Sequence, residues 1–205
     1  MRTPSDPQAQ PGAGPAPDTT PIAATAAAAG AQSEPVSTLT GLAQHLAIAH
    51  AQHTQRQTGR HHPRLLHRLP ILAMDLRAAY QAVLRMSTDT RALSYPAEWL
   101  LDNFYVVEQA LHLILEDLPE TFYRQLPVLA GEGPASGPPR VYTLAHAFVA
   151  HEQCEVEVSQ LQDFVRAYQQ TQPLTMGEVW ALPLMVRLHL LEHLAQGVRA
   201  VLQRE

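Results

Sequence analysis

The sequence predicts an all-α protein, a compact bundle of about six or seven helices behind a disordered N-terminal tail. Three observations predict this fold class. Apolar residues recur at steps of three and four in most segments after residue 37, as expected of amphipathic helices. No segment convincingly shows the two-residue alternation of a half-buried strand. Residues 1–36 are rich in Pro, Ala, Gln, Gly and Thr and almost lack large apolar side chains.

The tail and the helical part form two regions of different composition. A segment without large apolar side chains cannot offset the conformational entropy that is lost on ordering. We therefore assign residues 1–36 to a disordered tail and residues 37–205 to one helical domain.

The first two predicted helices are bounded by caps and helix breakers. Ser37 or Thr38 caps the first helix, and Gly59 and Pro63 end it. Pro70 marks the first turn of the second helix or kinks it. The predicted apolar stripes are Leu39, Leu42, Leu46 and Ala49, then Leu65, Leu69, Leu72, Leu76, Ala79, Val83 and Met86.

Prolines also delimit the next three predicted helices. The third helix begins at about Pro96, since proline suits a first helical turn. Pro119 and Pro127 bracket a short fourth segment, and the Gly- and Pro-rich stretch Gly131–Pro139 is a surface loop before the fifth helix. The stripes are Leu100, Phe104, Val107, Leu111, Ile114 and Leu118; Phe122, Tyr123 and Leu126; and Val141, Leu144, Ala145, Phe148 and Val149.

The last two predicted helices complete the bundle. Thr175 and Glu178 have the spacing of a capping box and start the seventh helix. Pro183 is expected to kink the beginning of that helix. The stripes are Leu161, Phe164, Val165 and Tyr168 in the sixth helix and Leu184, Leu188, Leu191, Ala195, Val198 and Leu202 in the seventh.

Charge and composition exclude several classes of protein. The chain has 205 residues, 19 acidic and 14 basic, and a formal net charge of −5. This mild acidity argues against a dedicated nucleic-acid binder. One cysteine, Cys154, excludes an intramolecular disulfide. The absence of a secretory signal and of any apolar run of about 18 residues predicts a cytoplasmic protein.

Six segments resemble, in the same order, the amino-terminal region of cyclic β-1,2-glucan synthases and related very large bacterial glucan enzymes. Several long matching segments are far more specific than one short motif, and the resemblance as a whole covers roughly residues 39–202. The segments are Pro96–Tyr105, Glu116–Pro119, Phe122–Pro127, Pro139–Tyr142, Phe164–Gln169 and Pro173–Pro183.

The resemblance implies a role in glucan synthesis without a catalytic residue in this chain. In that family the amino-terminal region precedes a membrane-embedded glycosyltransferase domain, and a glycoside-phosphorylase-like domain lies at the far carboxyl end. The chain would then be a non-catalytic helical module at the inner face of the bacterial inner membrane. Its partners would be those catalytic domains, in cis or in trans, and it would need no cofactor.

The resemblance also marks a set of residues as structural. A stand-alone helical interaction protein that kept the scaffold and lost the enzyme is the alternative reading. The residues so marked are Trp99, Asp102, Asn103, Phe104, Tyr123, Arg140, Tyr142, Arg166, Tyr168, Glu178 and Trp180.

One motif suggests a different class, a zinc hydrolase. His189, Glu192 and His193 fit the H-x-x-E-H pattern, in which two histidines one turn apart hold Zn²⁺ and the glutamate activates water. A catalytic zinc needs a third protein ligand, and in this protease class it is an acidic residue well downstream. Only Glu205 remains there, so we favour a structural role and expect no metal site.

The stretch between Glu34 and Asp75 is basic and rich in histidine. Arg56, Arg60, Arg64 and Arg68 recur every four residues there and could meet an anionic membrane surface. A solvated connector is the favoured interpretation. The same stretch holds six of the 11 histidines, which could form an adventitious metal patch. They are His45, His50, His53, His61, His62 and His67.

Aromatic residues could form a sugar-stacking platform, but core packing is the favoured interpretation. Trp99 and Trp180 each begin a helix with a long apolar stripe, so we expect both to be buried and Trp→Ala changes to be strongly destabilising. The other aromatic residues of the candidate platform are Phe104, Tyr105, Phe122 and Tyr123.

Two further catalytic patterns are disfavoured. Asp102, Glu98 and Glu108 could suggest a glycosidase carboxylate pair, but they share one helix, whereas such pairs face each other across a cleft. Cys154 has His151 as its nearest basic neighbour, which makes a nucleophilic pair a remote alternative.

Overall fold

The computed structural model describes residues 38–55, 64–87, 94–129 and 137–203. The predicted disordered tail lies outside these residues. The described part contains seven helices, which confirms the all-α fold class. They are α1 (Leu39–His53), α2 (Arg64–Ser87), α3 (Tyr95–Asp117), α4 (Glu120–Tyr123), α5 (Arg140–His151), α6 (Val158–Gln169) and α7 (Met176–Leu202).

The first helix is shorter than predicted, and the face that it buries is not the predicted one. It ends at His53 rather than near Gly59. Its buried residues are Ala43, Ala47 and His50, and the three leucines of the predicted stripe are half-buried beside them. Small alanines let the backbones of neighbouring helices approach closely, so the leucines pack at the sides of the contact.

Two short strands form in a protein whose sequence predicts none. Strand β1 (Thr54–Gln55) pairs antiparallel with β2 (Val128–Leu129). Gly137 closes the loop after β2, where its N–H donates to the carbonyl of Leu129 at 3.0 Å. A Cβ at Gly137 would lie 2.5 Å from that carbonyl oxygen, so a side chain cannot fit there.

Prolines and one asparagine shape the long helices. Pro70 lies in the second turn of α2 and not in its first, and Pro183 lies inside α7. The third helix is kinked at Asn103, whose φ of −117° and ψ of 15° are not helical. The Asn103 amide donates to the carbonyl of Trp99 at 2.9 Å, which keeps that carbonyl hydrogen-bonded at the kink.

Helix α7 is central to the bundle. It packs against α5, α3 and α2, while α1 packs against α6 and α5. The predicted stripe of α5 is fully buried, and that of α7 is buried up to Val198. Within the described ranges, no helix is both long and apolar enough to cross a bilayer.

Candidate functional site

A buried ion pair joins the beginnings of α5 and α7. Nε of Arg140 donates to Oε1 of Glu178 at 2.8 Å, and Nη2 donates to Oε2 at 2.6 Å. The two side chains are 3% and 0% exposed. Nη2 of Arg140 also donates to the carbonyl of Pro173 at 3.1 Å. A bidentate pair with further hydrogen bonds is the geometry that a buried charge requires.

Glu178 also completes the predicted capping box. The Thr175 N–H and hydroxyl donate to Oε2 of Glu178 at 2.9 and 3.0 Å. The Glu178 N–H donates back to the Thr175 hydroxyl at 3.3 Å. One carboxylate therefore caps α7 and neutralises Arg140.

The same network reaches the first and sixth helices. Nδ1 of His50 lies 3.0 Å from the hydroxyl of Tyr168, and Nε2 lies 3.4 Å from the hydroxyl of Thr143. The Arg140 guanidinium lies 5.9 Å from the ring centroid of Tyr168. Burial raises the pKa of Tyr168 to about 12. Burial, with the nearby charge of Arg140, lowers the pKa of His50 to about 4.

A second polar cluster lies around Glu192 on α7. Nδ1 of His189 is 3.1 Å from Oε2 of Glu192, and its Nε2 is 3.0 Å from the carbonyl oxygen of Tyr142. The Tyr142 hydroxyl donates to Glu192 at 3.2 Å, and Arg68 lies 3.5 Å from it. Burial raises the pKa of Glu192, but the hydrogen bonds and charges of His189, Arg68 and Tyr142 outweigh it and hold the pKa below its ordinary value.

This geometry does not support the zinc-hydrolase alternative. Both ring nitrogens of His189 lie within hydrogen-bond distance of oxygens of the protein, so neither is free to bind a metal. Its side chain is also 1% exposed. Among the described residues, no group of three or more His, Cys, Asp or Glu side chains is placed to hold a metal ion. Glu192 is instead the acceptor that anchors His189 and Tyr142.

A groove opens beside this cluster, between α2, α5 and α7. Its volume is about 430 Å³, within the range of roughly 300–1,000 Å³ that is typical of small-molecule sites. Leu65, Leu69 and Leu72 of α2 form an apolar wall of the groove. His146 of α5 and His193 and Gln196 of α7 also line it. Burial and the neighbouring His189 and His193 lower the pKa of His146.

The expected burial of the two tryptophans is wrong. Trp180 is 73% exposed and Trp99 is 38% exposed. The next residue, Ala181, is fully buried in place of Trp180. Met176, Val179 and Pro183 share the outward face of α7 with Trp180.

Trp180→Ala is accordingly expected to change the free energy of unfolding by less than about 1 kcal/mol, since exposed side chains contribute little to the core. Chemical denaturation of the variant and the parent protein measures this difference. Phe148→Ala is the positive control, because Phe148 is fully buried against Phe164 and its loss leaves a cavity. A loss of stability for Trp180→Ala as large as that of the control would contradict the exposed placement.

The remaining residues marked by the resemblance lie in varied surroundings. Phe104 is half-buried and stacks on Tyr80, with ring centroids 4.2 Å apart. Tyr123 is buried, which raises its pKa to about 12. Arg166 forms an exposed pair with Asp163, and Asp102 is exposed.

The side chains of the glycosidase pattern and of the cysteine–histidine pattern are not arranged for catalysis. Glu108 is held by both Nε and Nη2 of Arg77 at 2.7 Å, which lowers its pKa. Nδ1 of His151 lies 2.8 Å from Glu152, and burial raises the pKa of the Cys154 thiol. A thiol with a raised pKa is a poor nucleophile.

The arginine series of the basic stretch is described only in part. Arg68 lies beside Glu192, whereas the side chains of Arg56, Arg60 and Arg64 lie outside the described residues. Sequence reasoning missed the buried role of His50 and treated it as part of a metal patch. Its position three residues after Ala47, on the alanine face of α1, was the available signal.

Comparison with known proteins identifies one partial relationship. No protein-family model matches the chain. The chain is 43% identical over 98 residues to the cyclic beta-(1,2)-glucan synthase NdvB of Rhizobium meliloti (strain 1021). These residues are 48% of this chain but 3% of that protein, so the chain spans a very small part of its relative's length.

Proposed function

We propose that this chain is a non-catalytic helical region of a cyclic β-1,2-glucan synthase-like protein. It supports glucan synthesis by catalytic domains that this chain does not contain. The 43% identity to the synthase over 98 residues carries the proposal. The resemblance of six ordered segments, described above, supports the same relationship.

The buried network supports a structural role for three of the residues that the resemblance marks. Arg140 and Glu178 tie α5 to α7 through a bidentate ion pair, and the hydrogen bond between Tyr168 and His50 ties α6 to α1. None of these three side chains is exposed. Groups that are held in this way position helices and cannot reach a substrate.

The outward face of α7 offers a surface for contact with the catalytic parts. Met176 and Trp180 are each 73% exposed, and Val179 is 40% exposed. Exposed tryptophan and methionine are enriched at protein interfaces, where burial of a large side chain stabilises the complex. We place this contact at the inner face of the inner membrane, where the family's glycosyltransferase domain is embedded.

A chimeric synthase tests the proposal. This chain would replace the corresponding region of the Rhizobium meliloti synthase in a strain without that enzyme, and β-1,2-glucan would be measured. We expect the chimera to make glucan and a synthase without the region to make much less. The purified chain is expected neither to transfer glucose nor to hydrolyse or phosphorolyse β-1,2-glucan.

Two variants of the chimera separate contact from folding. Trp180→Ala should lower glucan synthesis at unchanged stability, whereas Arg166→Ala, an exposed change on α6, should leave synthesis intact. If the purified chain turned over a substrate and a point mutation within the chain abolished that activity, the non-catalytic role would be wrong. A chimera that makes no glucan despite a folded module would favour the stand-alone interaction protein.

A further inference from the structure

The charged residues of the groove between α2, α5 and α7 already have partners. Arg68 lies 3.5 Å from Glu192, and Nη2 of Arg199 donates to Asp75 at 2.8 Å. Each cation on the groove wall is therefore matched by a carboxylate of the protein. A phosphate or carboxylate ligand would have to displace these carboxylates, so the groove is better suited to an uncharged ligand.

Three polar side chains of the groove face no hydrogen-bond partner within the described part of the protein. Among the described residues, no hydrogen-bond partner is found for the ring nitrogens of His146 and His193 or for the amide of Gln196. His193 and Gln196 are three residues apart on α7 and therefore share a helix face. Together the three side chains supply both donors and acceptors, which match hydroxyl groups.

The remaining wall is apolar. Leu65, Leu69 and Leu72 of α2 line it, with Ile71 57% exposed beside them. A sugar ring combines an apolar C–H face with hydroxyl groups at its rim, so it satisfies both kinds of wall at once. An aliphatic ligand would leave the three polar side chains without partners.

We propose that this groove binds a short neutral oligosaccharide, namely a segment of β-1,2-glucan, without cleaving it. The groove's chemistry indicates a neutral polyhydroxylated ligand, and the identification of that ligand as β-1,2-glucan rests on the proposed function. The module would hold the growing glucan near the catalytic domains. This use of the groove is independent of the contact made by Trp180.

Calorimetric titration of the full purified chain with linear β-1,2-linked gluco-oligosaccharides tests the proposal. We expect saturable binding that the double change His193→Ala/Gln196→Ala weakens about tenfold, since two hydrogen bonds are lost. His112→Ala, an exposed change on α3 outside the groove, is the matched control and should bind normally. Thermal melts verify folding, and the exposed Gln196→Ala alone serves if the double variant does not fold.

Three other titrations decide the ligand class and the location. A β-1,4-linked gluco-oligosaccharide should bind much more weakly, and inorganic phosphate should not compete. Equal binding of the β-1,4 ligand would overturn the glucan assignment, and competition by phosphate would overturn the neutral site. Loss of binding in Trp180→Ala, or normal binding in His193→Ala/Gln196→Ala, would place the sugar elsewhere.

The proposal and the supporting role can fail separately. No binding by a chain whose chimera still makes glucan would overturn the groove assignment alone. If the chain bound the saccharide but its chimera made no glucan, the assignment of the groove as a saccharide site would stand. The supporting role in synthesis would then be wrong.

Discussion

Arg140→Met is expected to lower the free energy of unfolding by about 3–5 kcal/mol, because it leaves the Glu178 carboxylate buried without its counter-ion. The arginine side chain is 3% exposed and the glutamate side chain 0%. Solvent therefore cannot replace the two hydrogen bonds that Arg140 donates to Glu178. Urea denaturation of the variant and the parent protein measures the loss.

A second change shows whether the cost comes from the unpaired charge. In Arg140→Met/Glu178→Gln the carboxylate is gone, while glutamine can still accept a hydrogen bond from Thr175 at the start of α7. We expect the double variant to be more stable than Arg140→Met alone. Two results would contradict the buried ion pair. One is a loss of less than about 1 kcal/mol of unfolding free energy in Arg140→Met, and the other is a double variant that is less stable than Arg140→Met.

Acidification is expected to destabilise the fold by about 3 kcal/mol through His50 alone. Its pKa is about 4 in the folded protein against 6.5 ordinarily, because of burial first and then the charge of Arg140. Each unit of difference corresponds to about 1.4 kcal/mol. Between pH 6.5 and pH 4 the unfolded chain takes up a proton that the folded protein does not. The stability contribution is thus complete above pH 6.5 and is lost as the pH falls through this window.

Comparison of pH profiles isolates this histidine from other groups. His50→Gln can still form a hydrogen bond but does not titrate, so its unfolding free energy should fall less steeply between pH 6.5 and pH 4. His112→Gln, at an exposed position of α3, should keep the slope of the parent protein. Identical slopes for His50→Gln and the parent would show that His50 is not buried as a neutral ring. Urea denaturation at fixed pH intervals gives both profiles.

Local features of the fold followed from the sequence. The step of three and four in Val141, Leu144 and Phe148 predicted the buried face of α5, and all three residues are buried. The capping box of Thr175 and Glu178 was also predicted and is present. Periodicity and caps are readable because they depend on residues within a few positions of one another along the chain.

Partners that are distant along the chain were decided by tertiary packing alone. Glu178 pairs with Arg140, 38 residues away, and His50 meets Tyr168, 118 residues away. No local pattern specifies which helices lie side by side, so the sequence left these polar residues without partners. The candidate groove has the same origin, since its walls come from α2, α5 and α7.

The exposure of Trp180 shows where periodicity stops being informative. Helix α7 is covered by α5, α3 and α2 together, so a large part of its circumference is buried. The apolar stripe therefore does not show where the buried face ends and the exposed face begins. Ala181 and Leu182 face inward, while Trp180 and Pro183 remain outside. The sequence by itself determined that α7 is an apolar helix that begins directly after the cap residue Thr175. The tertiary structure decided which side of it is left for another surface, because that depends on where the three neighbouring helices lie.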